Sequence, residues 1–266
     1  TGIGRATALY LAGKGVRVLA GVRRASDGEA LVTALPGEAQ ATGGSVEPLV
    51  IDVASGESIT RAAAEVGERL AGAPLRGLVN NAGIALGGPQ EFLPLDDWRR
   101  TLEVNVFGLV DTTQKLLPHL VRSRGRVVNV SSVGGRVATP MMGPYVASKF
   151  AVEGLTASLR HELRDQGVWA SCVQPGMVKT EIWKKGDEQI AQQKAMLPPE
   201  AHERYASLVA ALQRFSHAGK TKGIPPEKVA RAIEHALFAA RPRTRYPVGP
   251  DARMRSEEHT SELQSR

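Results

Sequence analysis

The 266 residues, 42% hydrophobic and 23% charged, have the size and make-up of one soluble α/β domain. The single cysteine, Cys172, excludes an internal disulfide framework and fits a reducing, cytoplasmic compartment, and no apolar run approaches the ~20 residues of a membrane helix. A net charge of +7 is scattered in short pairs such as Arg99-Arg100 and Lys184-Lys185, which argues against nucleic acid and leaves the phosphates of a small ligand as the one specific anionic partner.

Thr1-Gly2-Ile3-Gly4 runs directly into an apolar-periodic helix, Ala6 to Leu11. A glycine turn that opens a helix is ordinarily fed by a strand. The expectation is therefore that a first strand and the first glycine of the turn are missing, and that the chain without them folds or works poorly, because a central strand would leave its neighbours with unpaired edges. No signal-peptide plan is visible in residues 1–24. Val16 to Val22 reads as a strand, Asp27 to about Ala41 as a helix, Val46 to Val53 as a strand, and Ser58 to Leu70 as a helix. Leu75 to Asn80 is a strand, a long helix spans roughly Leu95 to Val121, Arg126 to Val130 is a strand and Tyr145 to Arg164 a helix. Val168 to Val173 is a strand ending at Pro175-Gly176. From Thr180 to about Gly223 the rhythm breaks, with one helix expected at Ala201 to Phe215. A last helix, Glu227 to Ala239, and a short strand, Arg245 to Val248, follow.

Strand–helix alternation of this kind predicts a doubly wound parallel sheet in a single domain, residues 1–254, with a substrate lid at about 180–223. Residues 255–266 show no periodicity and read as a non-native tail.

Gly2, Ile3 and Gly4 at a helix start can admit a pyrophosphate, where free N–H groups and the helix dipole favour an anion. A dinucleotide fold of the NAD-binding kind carries an acid after the next strand. Here that place holds Arg23-Arg24, suited to a 2′-phosphate, so NADP is expected, with NAD also possible. Asp52-Val53 could hold the adenine edge through Asp52, or Asp52 could cap a helix. Asn81, Ala82 and Gly83 follow Asn80 at a strand end, where adjacent amides can tie elements together and a glycine allows close approach of a ligand.

Tyr145 and Lys149 lie one helical turn apart, and an ammonium beside a phenol would lower its pKa toward the working range. Tyr10 and Lys14 have the same spacing but no companion residues, and are read as structural. Ser132, thirteen residues before Tyr145 and followed by Gly134-Gly135, could hydrogen-bond a substrate carbonyl. It lacks the G-x-S-x-G elbow of a serine hydrolase. His119, His161, His202, His217 and His235 share no metal-binding spacing, so no metal is expected.

Taken in order, Asn80-Asn81-Ala82-Gly83, Val104-Asn105-Val106-Phe107-Gly108, Ser131-Ser132-Val133-Gly134-Gly135, Tyr145-Val146-Ala147-Ser148-Lys149 and Pro175-Gly176-Met177-Val178-Lys179-Thr180 resemble the short-chain dehydrogenase/reductase family. The resemblance implies a catalytic set of Asn105, Ser132, Tyr145 and Lys149. Tyr145 would be the general acid/base, Ser132 would polarise the carbonyl, and Lys149 would also touch the nicotinamide ribose. Asn105 would hold a helix kink and a water, and Pro175, Gly176, Val178 and Thr180 would flank the nicotinamide, with Val178 and Thr180 on its carboxamide. It further implies a homodimer or homotetramer built on the helices carrying Asn105 and Tyr145.

The segments after Ser132 and Lys149 look similar to the branch acting on steroids, retinoids and other lipid-like alcohols or ketones. The substrate would then be a small apolar alcohol or carbonyl compound. Ile182, Trp183, Met196, Leu208 and Phe215 could line its pocket, or could serve as ordinary helix-packing contacts. A non-catalytic cofactor-binding scaffold or sensor of the same fold is the alternative reading.

Overall fold

The computed structural model describes residues 2–252. The chain begins with helix α1 (Gly2–Ala12), whose apolar face, including Ala8, Leu11 and Ala12, is buried. Strand β1 (Arg17–Val22) follows, then α2 (Ala25–Thr33) and the short α3 (Gly37–Ala41). One helix was expected over this stretch. Pro36 lies between the two because its ring clashes with a preceding helical turn and it has no N–H to donate. Strand β2 (Ser45–Val50) pairs in parallel with β1 over all six residues. It stops three residues short of the expected end, and Asp52 N donates instead to Ser58 Oγ at 2.9 Å.

Helix α4 (Gly56–Leu70) leads to β3 (Gly77–Asn80). The expected long helix is in fact two, α5 (Leu95–Leu102) and α6 (Gly108–Ser123), joined by a π-helical turn at Glu103–Phe107. Strand β4 (Arg126–Val130), helix α7 (Gly143–Glu162) and strand β5 (Trp169–Pro175) come next. The segment expected as a lid is mostly helical, with α8 (Ile182–Met196) before α9 (Pro199–Lys222). The chain then closes with α10 (Pro226–Phe238) and β6 (Arg245–Val248).

Among the described residues the strands form two parallel sheets, β1-β2 and β3-β4-β5-β6. The two sheets share no ladder, yet Val18 of β1 and Val79 of β3 pack on the same core. That core joins Val128, Val130 and Val173 of the sheet to Leu11 of α1 and to Val229, Ile233 and Leu237 of α10. On the opposite face Val127 and Ala170 pack with Leu120 and Leu163. Val127 and Val128 thus serve different layers, as the period of two in a strand requires, and both are fully buried because helices cover both faces.

Parallel strands end on one edge, so Ser131-Ser132 after β4, Asn81 to Gly83 after β3 and Gly176 after β5 are brought side by side. Residues 255–266, read from the sequence as a tail, lie outside the described residues.

Candidate active site

The polar framework of the site begins inside the sheet. Asn80 and Asn129 are ladder partners on β3 and β4, and Asn80 Nδ2 donates to Asn129 Oδ1 and to Thr113 Oγ1, each at 2.9 Å. Asn129 Nδ2 donates in turn to Thr156 Oγ1 at 2.8 Å. This chain fixes α6 and α7 against the two strands whose ends carry the site, and it satisfies amides that would be costly to bury alone.

Asn105 sits in the π turn and is 1% exposed. Its Oδ1 accepts from Ile84 N at 2.8 Å, and its Nδ2 donates to Ile84 O and to Ser148 Oγ, each at 2.9 Å. Ser148, which the sequence reading did not single out, donates to Tyr145 O at 2.7 Å. The turn therefore clamps the loop after β3 to the helix carrying Tyr145 and Lys149. A π-helical turn stands where a kink is expected at Asn105.

Lys149 is buried, and its ammonium donates to Val130 O at 2.8 Å. Burial pulls it down to about 8, partly opposed by the carboxylate of Glu153. Tyr145 is partly buried, with the Lys149 nitrogen 5.8 Å from its ring centroid. Burial pushes its phenol above the ordinary value, and the neighbouring Ser132 hydroxyl acts in the opposite sense. The lowering of Tyr145 expected from Lys149 is not found: burial sets the direction, and the Lys149 ammonium donates to the Val130 carbonyl instead.

Ser132 accepts from Gly134 N at 3.0 Å. A methyl group on Gly134 would lie 3.4 Å from the Tyr145 ring and 3.5 Å from Ser132 Oγ, so this glycine marks where the two side chains meet. A methyl on Gly83 would likewise lie 3.3 Å from Asn105 Oδ1 and 3.6 Å from Lys149 Nζ. Asn105, Ser132, Tyr145 and Lys149, from three chain segments, thus converge within one small volume.

The residues expected for a dinucleotide border the same edge. A methyl on Gly4 would come within 2.6 Å of Asn81 Nδ2, and one on Gly2, at φ +58, within 3.3 Å of Thr180. Gly2, Ile3 and Gly4 are therefore joined to Asn81 on one side and to Thr180 on the other. Ala82 and Gly83 are exposed although the strands behind them are covered, so this edge presents small residues to solvent. Such a cradle fits a dinucleotide, whose approach to backbone needs an absence of side chains.

Arg23 and Arg24 follow β1, and both are exposed. Arg24 is engaged by Asp27, with bonds of 3.1 and 3.3 Å. Asp52 does not cap α4. Ser55 does so, accepting from Ser58 N at 3.2 Å, while Asp52 Oδ1 takes Ala54 N at 3.0 Å. Val53 lies against α6, where a side chain on Gly108 would overlap the Val53 carbonyl. Pro175 ends β5, and Val178, 5% exposed, bridges to Ile224 beyond α9.

In the segment of α8 and α9, Trp183 packs edge to face on Phe215 at 5.5 Å and donates to Val178 O at 2.7 Å. Those two residues serve helix packing, Ile182 and Leu208 are exposed, and the side chain of Met196 lies outside what is described. Tyr10 donates to Glu234 at 2.6 Å, tying α1 to α10, as its structural reading requires. Among the described residues no group of three or more His, Cys, Asp or Glu side chains could hold a metal, and no helix is long and apolar enough to cross a membrane.

The profile of the short chain dehydrogenases matches residues 1–191. The chain belongs to this family. Human retinol dehydrogenase 16 is 38% identical over 270 residues, covering 96% of this chain and 79% of that protein. An NADPH-dependent 3-dehydrocapnine reductase of Ornithobacterium rhinotracheale is 34% identical over 255 residues, with 94% and 85% covered. A short-chain dehydrogenase of Streptomyces avermitilis superposes with a TM-score of 0.80 at 29% identity, covering 100% of this chain and 90% of that one. These likenesses place this short-chain dehydrogenase in the retinol dehydrogenase-like branch, an oxidoreductase on a single Rossmann domain.

Proposed function

We propose that this short-chain dehydrogenase is an NADP(H)-preferring oxidoreductase. It interconverts an apolar secondary alcohol and ketone, or a lipid-like alcohol and aldehyde, with Asn105, Ser132, Tyr145 and Lys149 as its working set. The observation that carries this reading is the convergence of those four side chains beside an open cradle of small residues.

Gly2, Ile3, Gly4, Asn81, Ala82 and Gly83 would hold the pyrophosphate and adenosine side of the cofactor, with Asp52 and Val53 at the adenine. Pro175, Gly176, Val178 and Thr180 would hold the nicotinamide side, and Lys149 and Tyr145 would contact its ribose. The nicotinamide, when bound, supplies or takes the hydride.

Ser132 orients and polarises the carbonyl oxygen. Tyr145, held protonated by burial, donates its proton to that oxygen during reduction and takes it back during oxidation. Lys149, whose burial brings its ammonium down to about 8, sits close enough to the working range to pass a proton onward. Asn105 keeps the π turn that aligns α7 with the loop after β3.

NADP preference is supported by Arg23 and Arg24 standing where an NAD enzyme carries an acid, and by the NADPH-dependent relative. The apolar substrate class is supported by the likeness to a retinol dehydrogenase. A homodimer or homotetramer is supported by Phe107 on the π turn and by Phe150 and Leu155 on α7, which are 57%, 44% and 38% exposed. The compartment is read as the cytoplasm from the lone, buried Cys172.

The test is cofactor titration by protein fluorescence, NADPH against NADH, combined with turnover of apolar ketones and aldehydes. Y145F is expected to keep NADPH binding and to lose about 10²–10⁴ in kcat, the scale of general acid–base catalysis. Equal turnover by Y145F would remove Tyr145 from the mechanism, and tighter binding of NADH would remove the phosphate clamp.

A further inference from the structure

We propose that Asp251, three residues beyond β6, is a positioning residue that sets the shape of the segment at Pro175–Thr180 and so governs the nicotinamide end of the site. The inference rests on the reading of that segment as the nicotinamide side of the cofactor site. Its physical basis is separate, and lies in how the segment is held.

After β5 the chain leaves the sheet, and its backbone groups need partners. Gly176 N donates to Val248 O at 3.0 Å, which continues the β5-β6 pairing by one residue. Met177 O accepts from Ile224 N and Lys179 N donates to Ile224 O, each at 2.9 Å, which fixes the far side. Between these, Met177 N points away from Ile224 and donates to Asp251 Oδ2 at 2.8 Å. A carboxylate accepting a backbone N–H makes a charge-assisted bond, stronger than the amide pairs around it.

Two glycines are explained by the same carboxylate. A methyl on Gly176 would overlap the Asp251 carboxyl group, and one on Gly249 would lie 2.8 Å from Asp251 Oδ1. Gly249 also holds φ +115, which L side chains rarely adopt. The turn Val248-Gly249-Pro250-Asp251 is therefore shaped to bring one acid under the start of the loop. Three residues past Met177, the chain reaches Thr180 against Gly2. A shift at Met177 thus moves Val178 and Thr180 together, while the adenosine end, built on β1 and β2, is left in place.

Binding of NADPH and of adenosine 2′,5′-bisphosphate, which lacks the nicotinamide half, separates these ends. In D251A, NADPH binding is expected to weaken about tenfold or more, the scale of a lost charge-assisted bond. Binding of the bisphosphate should stay within about twofold. D251N, which retains an acceptor oxygen, should keep NADPH binding within about threefold of the unmodified chain. G176A tests the same contact from the other side. Its backbone is unstrained and the added methyl displaces only the end of a side chain, so it should show the selective loss seen for D251A.

If D251A does not fold, as read by circular dichroism, G176A and D251N decide. Equal weakening of both ligands would reduce Asp251 to a structural role and overturn the proposal, and so would unchanged NADPH binding in D251A or G176A. Failure of the unmodified chain to bind either ligand would remove the cofactor reading itself, and this inference with it.

Discussion

Arg23 and Arg24 are adjacent and chemically identical, yet the structure gives them different tasks. Arg24 precedes α2 and donates to Asp27 through two nitrogens, and this pairing raises the guanidinium and lowers the Asp27 carboxyl. Among the described residues Arg23 makes no side-chain hydrogen bond, so its five donors are available to a ligand. A 2′-phosphate gripped by one arginine gains about 1.5–3 kcal/mol from bonds to charged groups, roughly ten- to a hundredfold in affinity. R23A should therefore raise the KM for NADPH by about tenfold or more and leave that for NADH nearly unchanged. R24A should have the smaller effect, since its guanidinium must first leave Asp27. Steady-state kinetics with both cofactors reads the difference, and a parallel loss for NADH would show that Arg23 does not meet the 2′-phosphate.

At the scale of elements, what the sequence made legible followed from how local each signal is. Arg126 to Val130 was found with its true bounds because a short valine-rich run between charged and serine residues has one reading. The break at Pro36 was equally visible but was overridden by the flanking helical pattern. Helix α8 was not legible, since its Lys, Gln and Glu residues carry little amphipathic contrast. The order of Ser132, Tyr145 and Lys149 was legible, whereas Asp251 was not, because its partner lies 74 positions away and no local pattern announces it. The π turn stands between these cases, since no residue in Glu103–Phe107 is a helix breaker. Next to it, Gly108 lets α6 approach the Val53 carbonyl so closely that a methyl would overlap it. Because that obstacle is backbone, G108A should cost about 1–3 kcal/mol, the range for overpacking. It should also lower kcat by moving Asn105. A thermal melt and a kcat measurement check this, and an unchanged melt would mean that α6 yields without strain.

Across the whole molecule, the polar groups beneath the site form a continuous layer on one face of the larger sheet. Thr113, Asn80, Asn129 and Thr156 run from α6 to α7, and Gln174 donates to Glu153 Oε1 at 2.9 Å while Arg245 Nε donates to Oε2 at 2.9 Å. Cys172 is buried between these groups as the ladder partner of both Asn129 and Arg245. Burial first, and then the charge of Glu153, push its thiol up to about 12. The unfolded thiol ionises near pH ~8.5. Between those values the native state keeps a proton that the unfolded state has released, so the group's stabilising contribution is full below about pH 8.5 and declines as pH rises toward about 12. At about 1.36 kcal/mol per pH unit, the loss amounts to about 2 kcal/mol between roughly pH 8.5 and 10. C172A lacks this titration. Its stability relative to the unmodified chain should therefore be constant near neutral pH and improve by about 2 kcal/mol at roughly pH 10. Denaturant unfolding of both proteins across that range measures the difference directly, and other titrating groups cancel in the subtraction. Parallel curves would mean that the thiol titrates alike in both states, and that this layer is open to water.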